Sequence, residues 1–260
     1  MIRIITLLLT IISFQTFAAP KSELWPLWSK SDETNTSVIS HQPWQKFLDK
    51  YLVSSGENTL VKYADVTNDD KQQLKAYIAH LSIYDPRAYS KAEQYAYWVN
   101  LYNAITVDLI LEEYPIKSIT KLGGLFSFGP WGEYVITING HELTLNDIEH
   151  RILRPIWNDP RTHYAVNCAS LGCPNLQSQA FTAENSEQLL EKAAKEFINS
   201  DKGVLQSNGK TQLSSIYDWF ADDFGNPQDL IQHLAKYHPE LANLSGKFSY
   251  EYDWDLNEQK

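Results

Sequence analysis

The apolar positions of this chain recur first at a helical period. In "PWQKFLDKYL", Trp44, Phe47, Leu48, Tyr51 and Leu52 share one face, a spacing that predicts an amphipathic helix. Residues 58 to 66 read as an extended segment, and Thr67 with Asp70 then opens a second helix that turns Leu74, Tyr77, Ile78 and Leu81 inward. The third helix is of another kind. Ser90 and Glu93 form a capping-box pattern, and "EQYAYWVNLYNAITVDLILEEY" runs from there to Pro115 with apolar residues almost all the way round. A helix without a polar face must be covered on every side, which puts this one at the centre of the domain.

Further along, the period shortens to two. "EYVITI" and "HELTL" flank Asn139-Gly140, and "GVLQS" and "KTQLS" flank Asn208-Gly209, the dipeptide that best supplies the positive φ angles of a two-residue hairpin turn. "THYAVN" has strand character, and "KFSYEYDWDL" alternates like a last strand. Helical patterns recur in "NDIEHRILRPIW", "AENSEQLLEKAAKEFINS", "SIYDWFADDFG" and "PQDLIQHLAKY". Helices and hairpins follow one another without a βαβ rhythm. The expected fold is therefore α+β, a single domain with a central buried helix and β-hairpins that form a mainly antiparallel sheet.

The ends and the composition narrow the class. The chain opens "MIRIITLLLTIISFQTFAAPKS", with one arginine, an apolar run and a small-x-small pattern at Thr16 to Ala18. This reads as a signal peptide over residues 1–18, because the run is shorter than the ~20 apolar residues a membrane span needs. Residues 19–40, polar apart from isolated tryptophans, read as an extended N-terminal arm, and 41–260 as one globular domain. The expectation is a soluble protein, periplasmic or secreted, with no membrane span once the leader is cut. With 43% hydrophobic residues the core can be sizeable, while the formal charge of -10 repels phosphate backbones and argues against nucleic acid as a partner.

Chemistry is concentrated in a few polar groups inside apolar segments. Asn100 and Asn103 stand three apart on the most buried helix, and a buried amide has to find partners. They predict either a structural hydrogen-bond network or the lining of a polar pocket, with Arg154 and Asn167 as further pocket candidates. In "LTLNDIEHRILR", Asn146 with Glu149, or Thr144 with Asp147, satisfies the helix N-cap rule. Glu149 also lies near Ile152 and Leu153 on the inward side, where its partners are an arginine such as Arg154 or Arg161, or a histidine.

"THYAVNCASLGCPNL" holds the chain's 2 cysteines, Cys168 and Cys173, with His163 just upstream. Three readings stay open. Two cysteines in an oxidising compartment usually pair, and a turn containing Gly172 can bring them together, so Cys168 and Cys173 are a disulfide candidate. Alternatively Cys168 is a nucleophile served by His163, His150 or His141. On a regular strand His163 and Cys168 point to opposite faces, so that pairing needs a turn at Asn167. Zinc is disfavoured because C-x4-C is not a usual ligand spacing, and no metal or cofactor is expected.

Several of these segments, "EQYAYWVNLYNAITVDLILEEYPIKSI", "LTLNDIEHRILR", "DPRTHYAVNCASLGCPNL", "LSSIYDWFADDFG" and "YEYDWDLN", resemble the family known as domain of unknown function 547, in its order and over residues 45 to 257. The resemblance implies an exported bacterial relative of a family also found in plants, and it brings no activity with it. The helix ending "EEYPI" and the context "HYAVN" are also similar to transglutaminase-like and papain-like thiol hydrolases, although the position of their thiol falls near Asn100. The resulting expectation is a thiol-dependent hydrolase or acyl transferase acting on peptide or amide bonds, with Cys168 as nucleophile, His163 or His150 as base and Glu149 as orienter. The alternative is a non-catalytic binding or scaffold protein for a peptide, sugar or other small envelope ligand. For that role the loop aromatics Phe126, Phe128 and Trp131 are the ligand candidates, and most other tryptophans are assigned to the core.

Overall fold

The computed structural model describes residues 20–124 and 128–260. The leader 1–18 and Phe126 lie outside the described residues. Three helices build the first half: α1 Gln42–Tyr51, α2 Asn68–Ser82 and α3 Lys91–Glu113. As its all-round apolar sequence predicts, α3 is buried from Glu93 to Val107, and the side chains of Ala96, Tyr97, Trp98, Val99 and Leu101 are fully excluded from solvent. Ser90 caps it through the Glu93 amide, and Thr67 caps α2 through the Asp70 amide.

The strands are short and do not merge into one sheet, contrary to the expectation. Hairpins β1 Leu52–Ser55 with β2 Asn58–Val61 and β3 Tyr134–Ile138 with β4 His141–Thr144 stand alone. The first of these was missed as a hairpin because only its second strand reads as extended. A third hairpin, β5 Val204–Ser207 with β6 Lys210–Ser214, is joined by β7 Ser249–Glu251, which lies parallel to β6. The turns at Asn139-Gly140 and Asn208-Gly209 have the positive φ angles that their sequence predicts. The architecture is mixed helix and small sheets, an α+β domain.

The remaining helices are α4 Arg154–Trp157, α5 Thr162–Ala165, α6 Ser186–Ile198, α7 Ile216–Trp219, α8 Ala221–Phe224 and α9 Pro227–Tyr237. Asp147–Leu153, directly before α4, is a π-helical turn whose start is held by Thr144 and Asp147, each side chain accepting from the other's amide. A π-turn widens the helix and turns Glu149 and His150 inward together. The reading of "THYAVN" as a strand is corrected, since Thr162–Ala165 is a helical turn after which the chain becomes extended at Val166. The arm is anchored over the domain. The amides of Glu23 and Trp25 donate to the carbonyls of His150 and Arg151, and Trp28 is fully buried.

The two amides of α3 explain why polar residues persist in so apolar a helix. Asn100 donates to the carbonyl of Phe181 and accepts from its amide, at 2.8 and 3.0 Å. Asn103 does the same to two different residues, donating to the carbonyl of Ala165 at 2.9 Å and accepting from the amide of Asn167 at 2.8 Å. Each therefore replaces a missing strand partner for chain that crosses the helix. Replacing Asn103 by Ala should destabilise the fold by about 2 to 4 kcal/mol in urea unfolding, since it strands a buried N–H and a buried C=O. An effect below the error of the measurement would show that water satisfies these groups instead.

Candidate functional site

From Asn103 the chain runs into the thiol turn. Asn167 continues the relay, donating from its side chain to the carbonyl of Pro174 and accepting from the amide of Ala169. Ala169 sits at φ 57, a left-handed conformation uncommon for a residue with a Cβ, and the amide of Cys173 closes the turn onto Ser170. The C-terminal segment clamps it from outside, as the amides of Leu171 and Gly172 donate to the carbonyls of Asp255 and Asp253, both at 2.8 Å. Gly172 is needed there because a Cβ would stand 2.6 Å from the Asp253 nitrogen.

The turn brings the two sulfurs together without joining them. Both cysteines are free, with Sγ atoms 2.9 Å apart where a disulfide requires about 2.05 Å. The expected bridge is therefore not formed in this structure. Cys173 is 5% exposed, whereas Cys168 is only half-buried. Around Cys168 Sγ stand the hydroxyls of Ser170 at 3.1 Å and Tyr252 at 2.9 Å. Burial pushes the Cys168 thiol up, but hydrogen bonds from Cys173, Ser170 and Tyr252 outweigh it and hold the group below its ordinary value. Burial and the neighbouring Cys168 push Cys173 the other way, well above.

Cys168 borders a cavity of about 1000 Å³ that Cys173, Glu149, His150, His163, Tyr102, Tyr252 and Asp218 also line. The helical turn α5 presents His163 to this space. Its Nε2 is bonded to Asp223 Oδ2 at 2.6 Å, and its Nδ1 lies 3.8 Å from Glu149 Oε1 and has no hydrogen-bond partner among the described residues. A carboxylate on Nε2 favours the proton on that nitrogen and leaves Nδ1 as the free lone pair. Phe220 stacks on the ring at 4.2 Å and fixes its plane.

His150 occupies a different environment. Arg154 donates to its Nδ1 at 3.0 Å, binds Asp223 at 2.5 Å and reaches the carbonyl of Pro20 at 2.8 Å. Burial, reinforced by the charge of Arg154, lowers His150 to about 4, against the opposing pull of Glu149. Asp223 would be raised by burial, but the hydrogen bonds from His163 and Arg154 dominate and hold it well below the usual carboxylate range. The buried arginine thus serves Asp223 and His150, and Arg161 is elsewhere, paired with Asp159, Glu187 and Glu191. Glu149 lies between the two histidines, 3.9 Å from His150 and 3.8 Å from His163.

Glu149, His150, His163 and Cys168 therefore meet at one cavity. Asn100, Asn103, Arg154 and Asn167 stand behind it, bonded to backbone or to other side chains. His141 is packed against Trp25 and Trp28 in the arm. Phe128 and Trp131 wall the cavity as their loop position suggests, but Trp219, Tyr252 and Trp254 complete that wall. The Trp254 ring lies 5.7 Å from both Trp131 and Trp219 and 4.6 Å from Tyr252. Asp223, Tyr252 and Ser170 were not singled out from sequence. The available signals were an aspartate pair between aromatics in "DWFADDF" and the odd alternation of aromatics and acids in "YEYDWD".

Fold and cavity together define a class, an α+β protein in which a pair of neighbouring thiols shares a cleft with a carboxylate-bound histidine. Residues 86–198 match the family described as "Protein of unknown function, DUF547". The matched stretch contains Asn103, Glu149, His163 and both cysteines, while Asp223, Trp219, Tyr252 and Trp254 come from beyond its end. No curated protein and no solved structure matches the chain, so a likeness to papain-like or transglutaminase-like hydrolases has no support from these comparisons. Among the described residues no helix is long and apolar enough to cross a membrane.

The buried histidines set an acid limit. His150 folds with its proton-binding strength lowered to about 4, so between about pH 6.5 and 4 the unfolded chain takes up a proton that the folded chain refuses. Stability is complete above that window and falls through it, by about 2 to 3 kcal/mol from this residue at pH 4.5. Asp223 acts only at lower pH. His41 and His233 are lowered to about 4 by burial as well. The His150→Gln variant should consequently lose only part of the fall in unfolding free energy between pH 7 and 4.5, measured by urea titration. An unchanged pH slope would place His150 in a solvated or charged state.

Proposed function

We propose that the protein is a thiol-dependent hydrolase or acyl transferase acting on peptide or amide bonds, with Cys168 as nucleophile. The observation that carries this reading is the half-buried Cys168 sulfur on the wall of a large cleft. Three hydrogen-bonding groups are aimed at it, and a histidine with a free Nδ1 lines the same space. In this mechanism His163 accepts the thiol proton at Nδ1, the thiolate attacks the carbonyl carbon, and the imidazolium returns the proton to the departing amine. Asp223 holds the ring and stabilises its charged form, the role first expected of Glu149. Glu149, 3.8 Å from Nδ1, then adds negative charge on the substrate side. The apolar leader and small-x-small site support export to the periplasm or medium, where such bonds in envelope polymers would be the substrates.

A second reading has one observation in its favour. The wall of Phe128, Trp131, Trp219 and Trp254 offers flat faces suited to a sugar or an extended peptide, and a binding protein would use it with Cys168 silent. Alkylation of the native chain by iodoacetamide at pH 7 separates the two. The catalytic reading expects Cys168 to label faster than the same thiol in the denatured chain, His163→Ala to slow amide or thioester turnover by about 100-fold or more, and Cys168→Ser to abolish it. If Cys168 labels no faster than in the denatured chain and tryptophan fluorescence still reports peptide or glycan binding to Cys168→Ser, the binding reading replaces the catalytic one. Export predicts a chain shortened at Ala18 in the periplasmic or culture fraction, and full-length protein in the cytosol would exclude it.

A further inference from the structure

The second thiol of the pair forms no covalent bond in hydrolysis. A single sulfur suffices to attack a carbonyl, yet the second is held 2.9 Å from it and buried behind it. Nothing about this proximity is left to chance motion. The turn from Asn167 to Cys173 is fixed by Asn103 on the inner side and by the carbonyls of Asp253 and Asp255 on the outer. Closing a bond needs an approach of only about 1 Å between sulfurs, given the ~2.05 Å of a disulfide. The cleft side is unsymmetrical, as Cys168 is half-buried and Cys173 buried, and Cys173 receives the Cys168 amide at its sulfur. Both border the cleft, and a partner entering it meets the more exposed Cys168 first.

We propose that Cys168 and Cys173 form a redox-active dithiol that reduces disulfides, with Cys168 as the attacking and Cys173 as the resolving thiol. The Cys168 thiolate attacks one sulfur of a disulfide R–S–S–R′, forming Cys168–S–S–R and releasing R′S⁻, which takes up a proton. Cys173 then loses its proton, and its thiolate attacks Cys168 Sγ, breaking the mixed disulfide and releasing RS⁻. The two thiols end oxidised to one Cys168–Cys173 bond and the substrate ends reduced to two thiols. The reverse sequence with a reducing dithiol restores the site. The hydroxyls of Tyr252 and Ser170 stabilise Cys168 as attacking thiolate and as leaving group of the reverse step. Lys202, lowered to about 8 mainly by burial, lies within electrostatic reach of both sulfurs and favours either thiolate. The bonded state also removes the nucleophile from acyl chemistry, so the thiol poise of the surroundings would gate the cleft.

The exchange requires a reactive Cys168 but no acyl substrate, which separates it experimentally from the hydrolase reading. The full chain is equilibrated with mixtures of glutathione and glutathione disulfide, quenched with an alkylating agent and weighed by mass spectrometry. The expected result is one reversible transition in which both thiols disappear together as an internal disulfide. In Cys173→Ser the glutathione adduct should collect on Cys168 and survive about tenfold longer or more, and in Cys168→Ser native Cys173 should form none. Tryptophan fluorescence reports whether the variants remain folded, and the wild-type transition stands as a test without them. The proposal is overturned if folded wild type accumulates the mixed disulfide without closing it, if Cys173 reacts first, or if the internal bond forms but no glutathione ratio reopens it. Loss of adduct resolution in Cys173→Ser supports the exchange role of Cys173 whatever its acyl turnover, which bears on the hydrolase reading alone.

Discussion

Two hydrogen bonds from one amide, Asn103 to Ala165 and to Asn167, connect the core of this protein to its chemistry. The amide is carried on a helix buried on all sides, so it cannot move without disturbing the centre of the domain. It bonds chain on both sides of Val166, where α5 ends and the backbone becomes extended. That change of direction aims His163 and Cys168 at the same cavity, which a straight strand would not do. Asn167 passes the constraint on to Ala169 and Pro174, and the left-handed residue at 169 is tolerated because these bonds leave the backbone no relaxed alternative. An uncharged side chain suits this role, since a buried charge would cost more than two backbone bonds return.

Around this support the cleft separates charges by solvation. Arg154 is almost fully buried and stabilised by Asp223, and through that pair it keeps Asp223 ionised beside His163 while keeping His150 neutral. Two histidines placed close to one glutamate thus acquire different hydrogen-bonding roles. The apolar half of the cleft is built by rings that contact one another, so the wall can remain ordered while open to solvent on one side. The N-terminal arm contributes as well. It pairs with the π-helical turn at His150 and Arg151 and places the Pro20 carbonyl on Arg154.

The central helix, the caps at Thr67 and Ser90 and the Asn-Gly turns were all legible along the chain, because each depends on residues within one turn of one another. The strand reading of "THYAVN" failed for a physical reason. Its β-branched and aromatic residues fit a strand locally, but Asn103, 64 positions away from Asn167, dictates where the extended backbone begins. The same holds for Asp223 and Tyr252, whose local patterns do not say what they touch, and which acquire importance only from those contacts.

The sequence by itself determined that a buried helix would carry two amides, that an acid, two histidines and two thiols would need partners, and that the fold would be α+β. Periodicity and burial cost depend on composition and spacing, which the chain displays directly. Only the tertiary structure decided which carboxylate holds His163, that the arginine beside it is Arg154, and that the two sulfurs meet unbonded under hydroxyls from Ser170 and the distant Tyr252. Those pairings are set by distances of a few ångströms between segments far apart in the chain, and electrostatics and hydrogen bonding at that range have no trace in linear order.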